Sequence, residues 1–256
     1  MKTTVLSHGY MDLVDKRNQP VSLTSESAGD LMDEIAIKQS SWMCSDKTDG
    51  VRRWIEFAEF QTTFHDRSGK TQQGIDIVLT NGFTPALIDC ELIEEEDRIV
   101  VFDIFAVKGR DLRRLPLKER YLIYREVCKA MESGQFTIEA KEWLPANRFR
   151  ELVDCKEGII FQHSTRIDRV MKFKRINTID LRCVDGEFPM SKKYGITIEK
   201  NTDILEDGIY ELAPTRNNTW MILQHRDDKI GANSDKTVLD GIAAQKAGTD
   251  IFRDYY

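Results

Sequence analysis

The sequence predicts an α+β protein, built from antiparallel sheets with flanking helices and closed by a small C-terminal β-barrel. Three observations carry this. Between residues 54 and 106 apolar side chains alternate or run together in short, turn-bounded stretches, the pattern of strands. Residues 115–133 instead show apolar spacing of three and four, the pattern of a helix. Beyond Gly186 and Pro189 come several short strands separated by polar turns, which suit a small barrel.

In chain order, Gln19-Pro20-Val21-Ser22-Leu23 reads as extended, because proline fixes its own φ and biases its predecessor away from helix. Ser25 to Asp33 has small and acidic residues at its start and reads as a capped helix. A strand is expected from Trp54 to Phe60, a polar turn at His65–Lys70, an apolar run from Ile75 to Leu79 and a tight turn at Asn81-Gly82. Ala86–Ile93 is a strand that carries acids among apolar residues. Arg98–Ala106 is β-branched and aromatic and is expected to be buried on both faces. Asp103 within it must be hydrogen-bonded or functional, since an unpaired buried carboxylate is costly. Pro116 stands near the start of the helix over 115–133, and Glu142 to Val153 reads as a second helix. Two strands follow, Glu157–Gln162 and Val170–Lys174, the second placing Lys172 and Lys174 on one face. Short strands over 195–198, 208–212 and 220–225 lead into Arg226-Asp227-Asp228-Lys229 and a closing helix from Lys236 to Gln245.

The composition of the 256 residues is ordinary for a globular protein, 41% hydrophobic and 31% charged. A net charge of -6 gives no global basic field, so any nucleotide or nucleic-acid site must be a local patch. One such patch is visible: Arg166, Arg169, Lys172, Lys174 and Arg175 stand against Asp168 alone. The Arg110–Arg114 cluster reads either as a solvated helix start or as an RNA contact. Five scattered cysteines without a C-x-x-C pair suggest neither a disulfide framework nor a zinc site. With no signal-peptide core and no apolar run of about 20 residues, an intracellular chain without a membrane span is expected. Cytoplasm, nucleus, viral factory and virion all fit that expectation.

The chemistry concentrates in Lys47-Thr48-Asp49-Gly50-Val51-Arg52. A lysine amine attacks only when unprotonated, which nearby cations or a dry pocket favour. Glycine lets the backbone turn beside a bulky group, and Arg52 can offer a charge-assisted fork to ribose or phosphate oxygens. Further along stand Asp89-Cys90-Glu91, Val101-Phe102-Asp103, Glu157-Gly158-Ile159-Ile160 and Met171-Lys172-Phe173-Lys174. Together, and in this order, these resemble the motifs of the covalent nucleotidyltransferase superfamily, which contains messenger-RNA capping guanylyltransferases and polynucleotide ligases. Gln19-Pro20-Val21-Ser22, Asn177-Thr178-Ile179-Asp180 and Arg226-Asp227-Asp228-Lys229 with Asn233 are similar to features of the capping branch. The resemblance covers roughly residues 19–233.

That resemblance implies an ATP-grasp-like nucleotidyltransferase domain over 1–184 and a reduced OB-fold domain over 185–235, with a helix over 236–256 packing back. It implies a GTP:RNA guanylyltransferase in the compact style of viral enzymes. Lys47 would become Lys-GMP and pass GMP to an RNA 5′-diphosphate end. Arg52 and Glu91 would hold the ribose, Phe102 would stack on the base, and Lys172 and Lys174 would hold the α-phosphate. Phe102 also reads as plain core. Glu157 and Asp180 would bind Mg2+ or Mn2+, while Arg226, Asp228 and Lys229 would reach the outer phosphates. A monomer is implied, with a separate RNA triphosphatase and cap methyltransferase as partner enzymes. Two departures stand out: Cys90 replaces a usual glycine, and Arg226 stands only 46 positions after Asp180, which implies a trimmed OB domain. The rival readings are an ATP-dependent RNA or DNA ligase working through Lys-AMP, a non-catalytic nucleotide- or cap-binding module, and a structural β-rich scaffold.

Overall fold

The computed structural model describes residues 20–23, 25–38, 41–59, 61–152, 155, 157–174, 176–200, 205–215 and 219–253. Expectations at the N-terminal start, Gln19, Phe60, Val153 and Arg175 lie outside the described residues. Two compact units result, the first taking in Glu34–Cys155 and Ile159–Met171, the second Val21–Asp33, Lys156–Gly158 and Lys172–Tyr256.

The first unit is built on a large sheet in the order Thr137–Ala140, Arg98–Val107, Ala86–Ile93, Val51–Phe57, Thr62–His65, Thr71–Gln73, with Arg110–Asp111 returning as a hairpin on Arg98–Val107. Neighbours are antiparallel except Thr137–Ala140, which lies parallel to Arg98–Val107. Parallel neighbours need a long crossover, and the helix Leu117–Lys129 supplies it. Arg98–Val107 is buried on both faces, as its β-branched composition predicts. One face joins Ile55, Ile88, Val101, Ile104, Tyr124 and Val127 in the main core, while Phe105 and Ala106 pack with Trp54 and Leu87. A second sheet centres on Trp42–Asp46, flanked antiparallel by Ile159–His163 and Leu144–Pro145.

The second unit carries a four-stranded sheet in the order Ile179–Cys183, Gly208–Pro214, Thr219–His225, Thr197–Glu199. Ile179, Leu181, Leu212, Trp220 and Val238 make its core. The last of these belongs to the helix Asp235–Arg253, which also accepts the Asn177 N–H on the Gln245 side chain at 2.9 Å. No helix among the described residues is long and apolar enough to cross a membrane. Of the five cysteines, Cys44, Cys90, Cys128 and Cys183 are buried thiols, Cys155 is partly exposed, and none forms a disulfide.

Several local expectations shift for identifiable reasons. The helix expected over Glu142–Val153 is instead the strand Leu144–Pro145 followed by a 3-10 helix, Ala146–Leu152. Pro145 explains this, since it has no N–H for a helical bond and clashes with the preceding turn. The strand expected to reach Phe60 runs from Val51 to Phe57, ending where Ala58 N–H turns back to Gln61 O. Of Ile75–Leu79 only Val78–Leu79 is strand. The polar run at Ser191 forms a short helix, Ser191–Tyr194, stopped by Gly195 at φ 64°. The helix starting at Ser25 continues to Ile37.

Asp103 resolves as a structural anchor. Its carboxylate accepts two bonds from Arg120, at 2.7 and 2.9 Å, and the Ile104 N–H. Both side chains are almost wholly buried. Removing one partner strands the other charge, so Arg120→Met is expected to cost about 3–5 kcal/mol, read by urea unfolding. The double variant Arg120→Met/Asp103→Asn should recover part of that loss.

Candidate functional site

In the first unit, Lys47 follows the end of the strand Trp42–Asp46, and its side chain is 17% exposed. Its ammonium donates to Thr48 O at 3.3 Å and lies 3.5 Å from the Asp49 carboxylate. Three residues later Gly50 is forced by packing: a Cβ there would lie 2.6 Å from Leu92 O and 2.9 Å from Glu91 Cγ. The glycine therefore lets this segment press against the strand that carries Glu91.

Strand register does the rest. Val51–Phe57 pairs with Ala86–Ile93 so that Arg52 lies opposite Glu91 and Trp54 opposite Asp89. The Arg52 guanidinium reaches Asp89 as a two-pronged pair, 2.9 and 2.5 Å, and its carbon lies 5.5 Å from the Phe102 ring centroid. Asp89 is fully buried; that burial pushes its carboxyl up, and Arg52 opposes it. Phe102 itself is half-buried against the main core. Cys90, where the resemblance implies glycine, points into the core with its thiol 3.4 Å from Arg53 O.

Glu91 is the other perturbed acid. Burial lifts its carboxyl from the usual 4.5 to about 7, and the Lys47 ammonium opposes the lift. Lys141 is a buried cation that the sequence reading overlooked. Its ammonium donates to Thr48 Oγ1 and lies 3.3 Å from Asp46, so it bonds the residues on either side of Lys47. Burial lowers its pKa while Asp46 opposes the shift. The Lys141 carbonyl accepts the Tyr124 hydroxyl at 2.7 Å, and Ser45 donates to Glu142 O. Only the acids amid apolar residues at 86–93 signalled Asp89, and nothing in the pattern around 141 signalled Lys141.

In the second unit, Gly158 has φ +117°, and a Cβ would fall 2.0 Å from Phe173 O. No side chain fits there, so the backbone of Glu157-Gly158 rests directly on Phe173 and Lys174. Lys172 and Lys174 are half-buried and Glu157 is exposed. Asp180, Arg226, Asp228 and Lys229 are brought together. Arg226 donates to both Asp228 oxygens at 2.7 Å and to Asp180 and Glu211 at 3.3 and 3.4 Å. That pairing holds the exposed Asp228 down at about 2 and raises Arg226. Lys229 lies 3.6 Å from Asp180, and Asn233 donates to it at 3.2 Å. With both oxygens engaged by donors, Asp180 suits a salt-bridge cluster rather than a divalent cation. Among the described residues no three His, Cys, Asp or Glu side chains gather as a metal site.

No protein-family model matches the sequence, and no curated protein matches it. Solved structures do. A mycobacterial DNA ligase D complexed with ATP and MES is 13% identical over 84% of this chain and 97% of its own, at a TM-score of 0.50. The ligase domain of LigD from M. tuberculosis is 14% identical over the same shares, at a TM-score of 0.44. This chain has the fold of a ligase nucleotidyltransferase domain. The ligase-type fold accounts for the expected α+β class with its sheets and few helices.

The Glu91 shift has a sign that can be checked. A carboxyl raised in the fold costs no stability below its unfolded value, an increasing amount between pH 4.5 and 7, and its full cost above. Glu91→Gln should therefore raise the melting temperature at pH 8 and leave it unchanged near pH 4.

Proposed function

We propose that this protein is a covalent nucleotidyltransferase that carries a nucleoside monophosphate on Lys47. The observation that carries the reading is the setting of Lys47: a half-buried lysine between Asp46 and Thr48, both bonded to the buried Lys141, with Glu91 perturbed beside it. In the first step the Lys47 Nζ attacks the α-phosphorus of a nucleoside triphosphate. A P–N bond forms, the P–O bond to pyrophosphate breaks, and the attacking neutral amine gives one proton to water. In the second step a 5′-phosphorylated nucleic-acid end takes the nucleotide, forming P–O and breaking P–N, and the Lys47 nitrogen takes a proton back from water.

The chain's other residues take roles from their chemistry. Lys172 and Lys174 would neutralise charge on the α-phosphate. Glu91 would accept a ribose hydroxyl, Arg52 would be fixed beside it by Asp89, and Phe102 would stack on the base. Mg2+ or Mn2+, held by Glu157 and phosphate oxygens, would supply further charge neutralisation at the phosphates. Arg226 and Lys229 would release Asp228 and Asp180 to meet the outer phosphates.

The likeness to a DNA ligase bound to ATP supports adenylyl transfer, a ligase working through Lys-AMP. The Asn177–Asp180 and Arg226–Lys229 segments support the second reading, guanylyl transfer from GTP to a 5′-diphosphate RNA end in cap formation. A separate triphosphatase and methyltransferase would be partners in that case.

Incubation with α-labelled ATP or GTP and Mg2+ should leave label on the denatured protein, and Lys47→Ala should abolish it. Label from ATP selects the ligase reading and label from GTP the capping reading. Label from neither overturns both. Lys141→Met, which loosens both neighbours of the nucleophile, should slow labelling about ten- to a hundredfold while the fold persists.

A further inference from the structure

The segment 108–118 holds Lys108, Arg110, Arg113, Arg114 and Lys118 against Asp111 alone, in a chain of net charge -6. The fold fixes where these cations go. Arg98–Val107 and Arg110–Asp111 form a hairpin whose turn residues, Lys108 and Gly109, both have positive φ, 51° and 75°. The chain then bonds Leu112 N–H to Phe105 O and buries Leu112 and Leu117. The cations around them are left outward: Lys108, Arg110, Arg114 and Lys118 are exposed. The Lys108 ammonium lies 5.1 Å from the Phe83 ring centroid.

The acids nearby do not cancel this charge. Asp111 is taken by Arg113 through bonds of 2.8 to 3.2 Å, and that pairing drives its carboxyl below the usual range. Glu119, exposed in the first helical turn, is an acid just beyond the segment. Leu117 N–H donates to Ser164 O, which brings in a second loop where Arg166 pairs with Asp168. Among the described residues, Lys108, Arg110, Arg114 and Lys118 have no carboxylate within ion-pair distance.

We propose that this hairpin and helix start form a docking surface for the phosphate backbone of a nucleic acid, contacted by Lys108, Arg110, Arg114 and Lys118. Clustered exposed cations repel one another, and a polyanion relieves several at once while releasing its own counterions. Arginine forks fit phosphate oxygens in particular. The surface deepens the proposed function by naming where the acceptor strand is held, and rests on that reading for its purpose.

The test uses the full chain with fluorescent single-stranded RNA and nicked duplex DNA as probes. The quadruple variant Lys108→Ala/Arg110→Ala/Arg114→Ala/Lys118→Ala should bind at least about tenfold more weakly at low salt. Its slope of log affinity against log salt should fall by about three. Label transfer from nucleotide to Lys47 should be unchanged, which also shows that the variant folds. Single variants Arg110→Ala and Arg114→Ala provide the same reading should the quadruple variant fail to fold. Unchanged affinity and slope overturn the surface. Displacement by an acidic peptide as effective as nucleic acid overturns it in favour of a protein partner. Binding lost in the variant while wild type takes no label at Lys47 supports the surface and sinks the proposed function.

Discussion

Two buried acids face each other across neighbouring strands, and the first unit depends on how they are neutralised. Asp89 and Asp103 are register partners in the pairing of Ala86–Ile93 with Arg98–Val107. Side by side and dry, two carboxylates would repel strongly, and Asp103 adds to the burial that pushes the Asp89 carboxyl up. The fold gives each its own arginine from a different element. Arg52, at the end of the lysine motif, takes Asp89, and Arg120, on the crossover helix, takes Asp103. Removing either arginine leaves a carboxylate in low dielectric, so helix docking and the Lys47 segment are tied to the same pair of strands.

This arrangement explains why Arg52 is better described as positioned than as available. Its guanidinium is spent on Asp89 and stacked near Phe102, so it presents a fixed cation rather than a mobile one. A fixed cation costs little reorganisation when charge appears next to it. The cluster around Arg226 behaves differently. There the pairs are more exposed and mutual, so solvent and incoming anions can exchange with them at low cost.

Much of the fold was legible because periodicity reports burial directly. Arg98–Ala106 reads as a strand buried on both faces, and Leu117–Lys129 as an amphipathic helix, from side-chain chemistry alone. Sequence failed where a single backbone property overrides the pattern, as Pro145 does in a stretch that otherwise reads as helix. The site followed the same division. Lys47, Arg52 and Glu91 sit close in sequence or on paired strands, so their association could be anticipated. Lys141 could not, because it meets Thr48 only after a crossover helix and a strand have folded. Asp180 shows the converse: an acid implied as a metal ligand by resemblance lies among Arg226, Lys229 and Asn233.

The burial of the thiols has a practical consequence for studying the molecule. Four cysteines are buried, and burial pushes the Cys44 and Cys128 thiols up to about 12 and raises Cys90 as well. Thiolate, not thiol, reacts with alkylating dyes, so these sites should be slow. Cys155 is partly exposed and stands just before Lys156–Gly158, where the chain leaves one compact unit for the other. The native sequence thus carries a single favoured attachment point for a spectroscopic probe, at a joint of the chain, without any engineering.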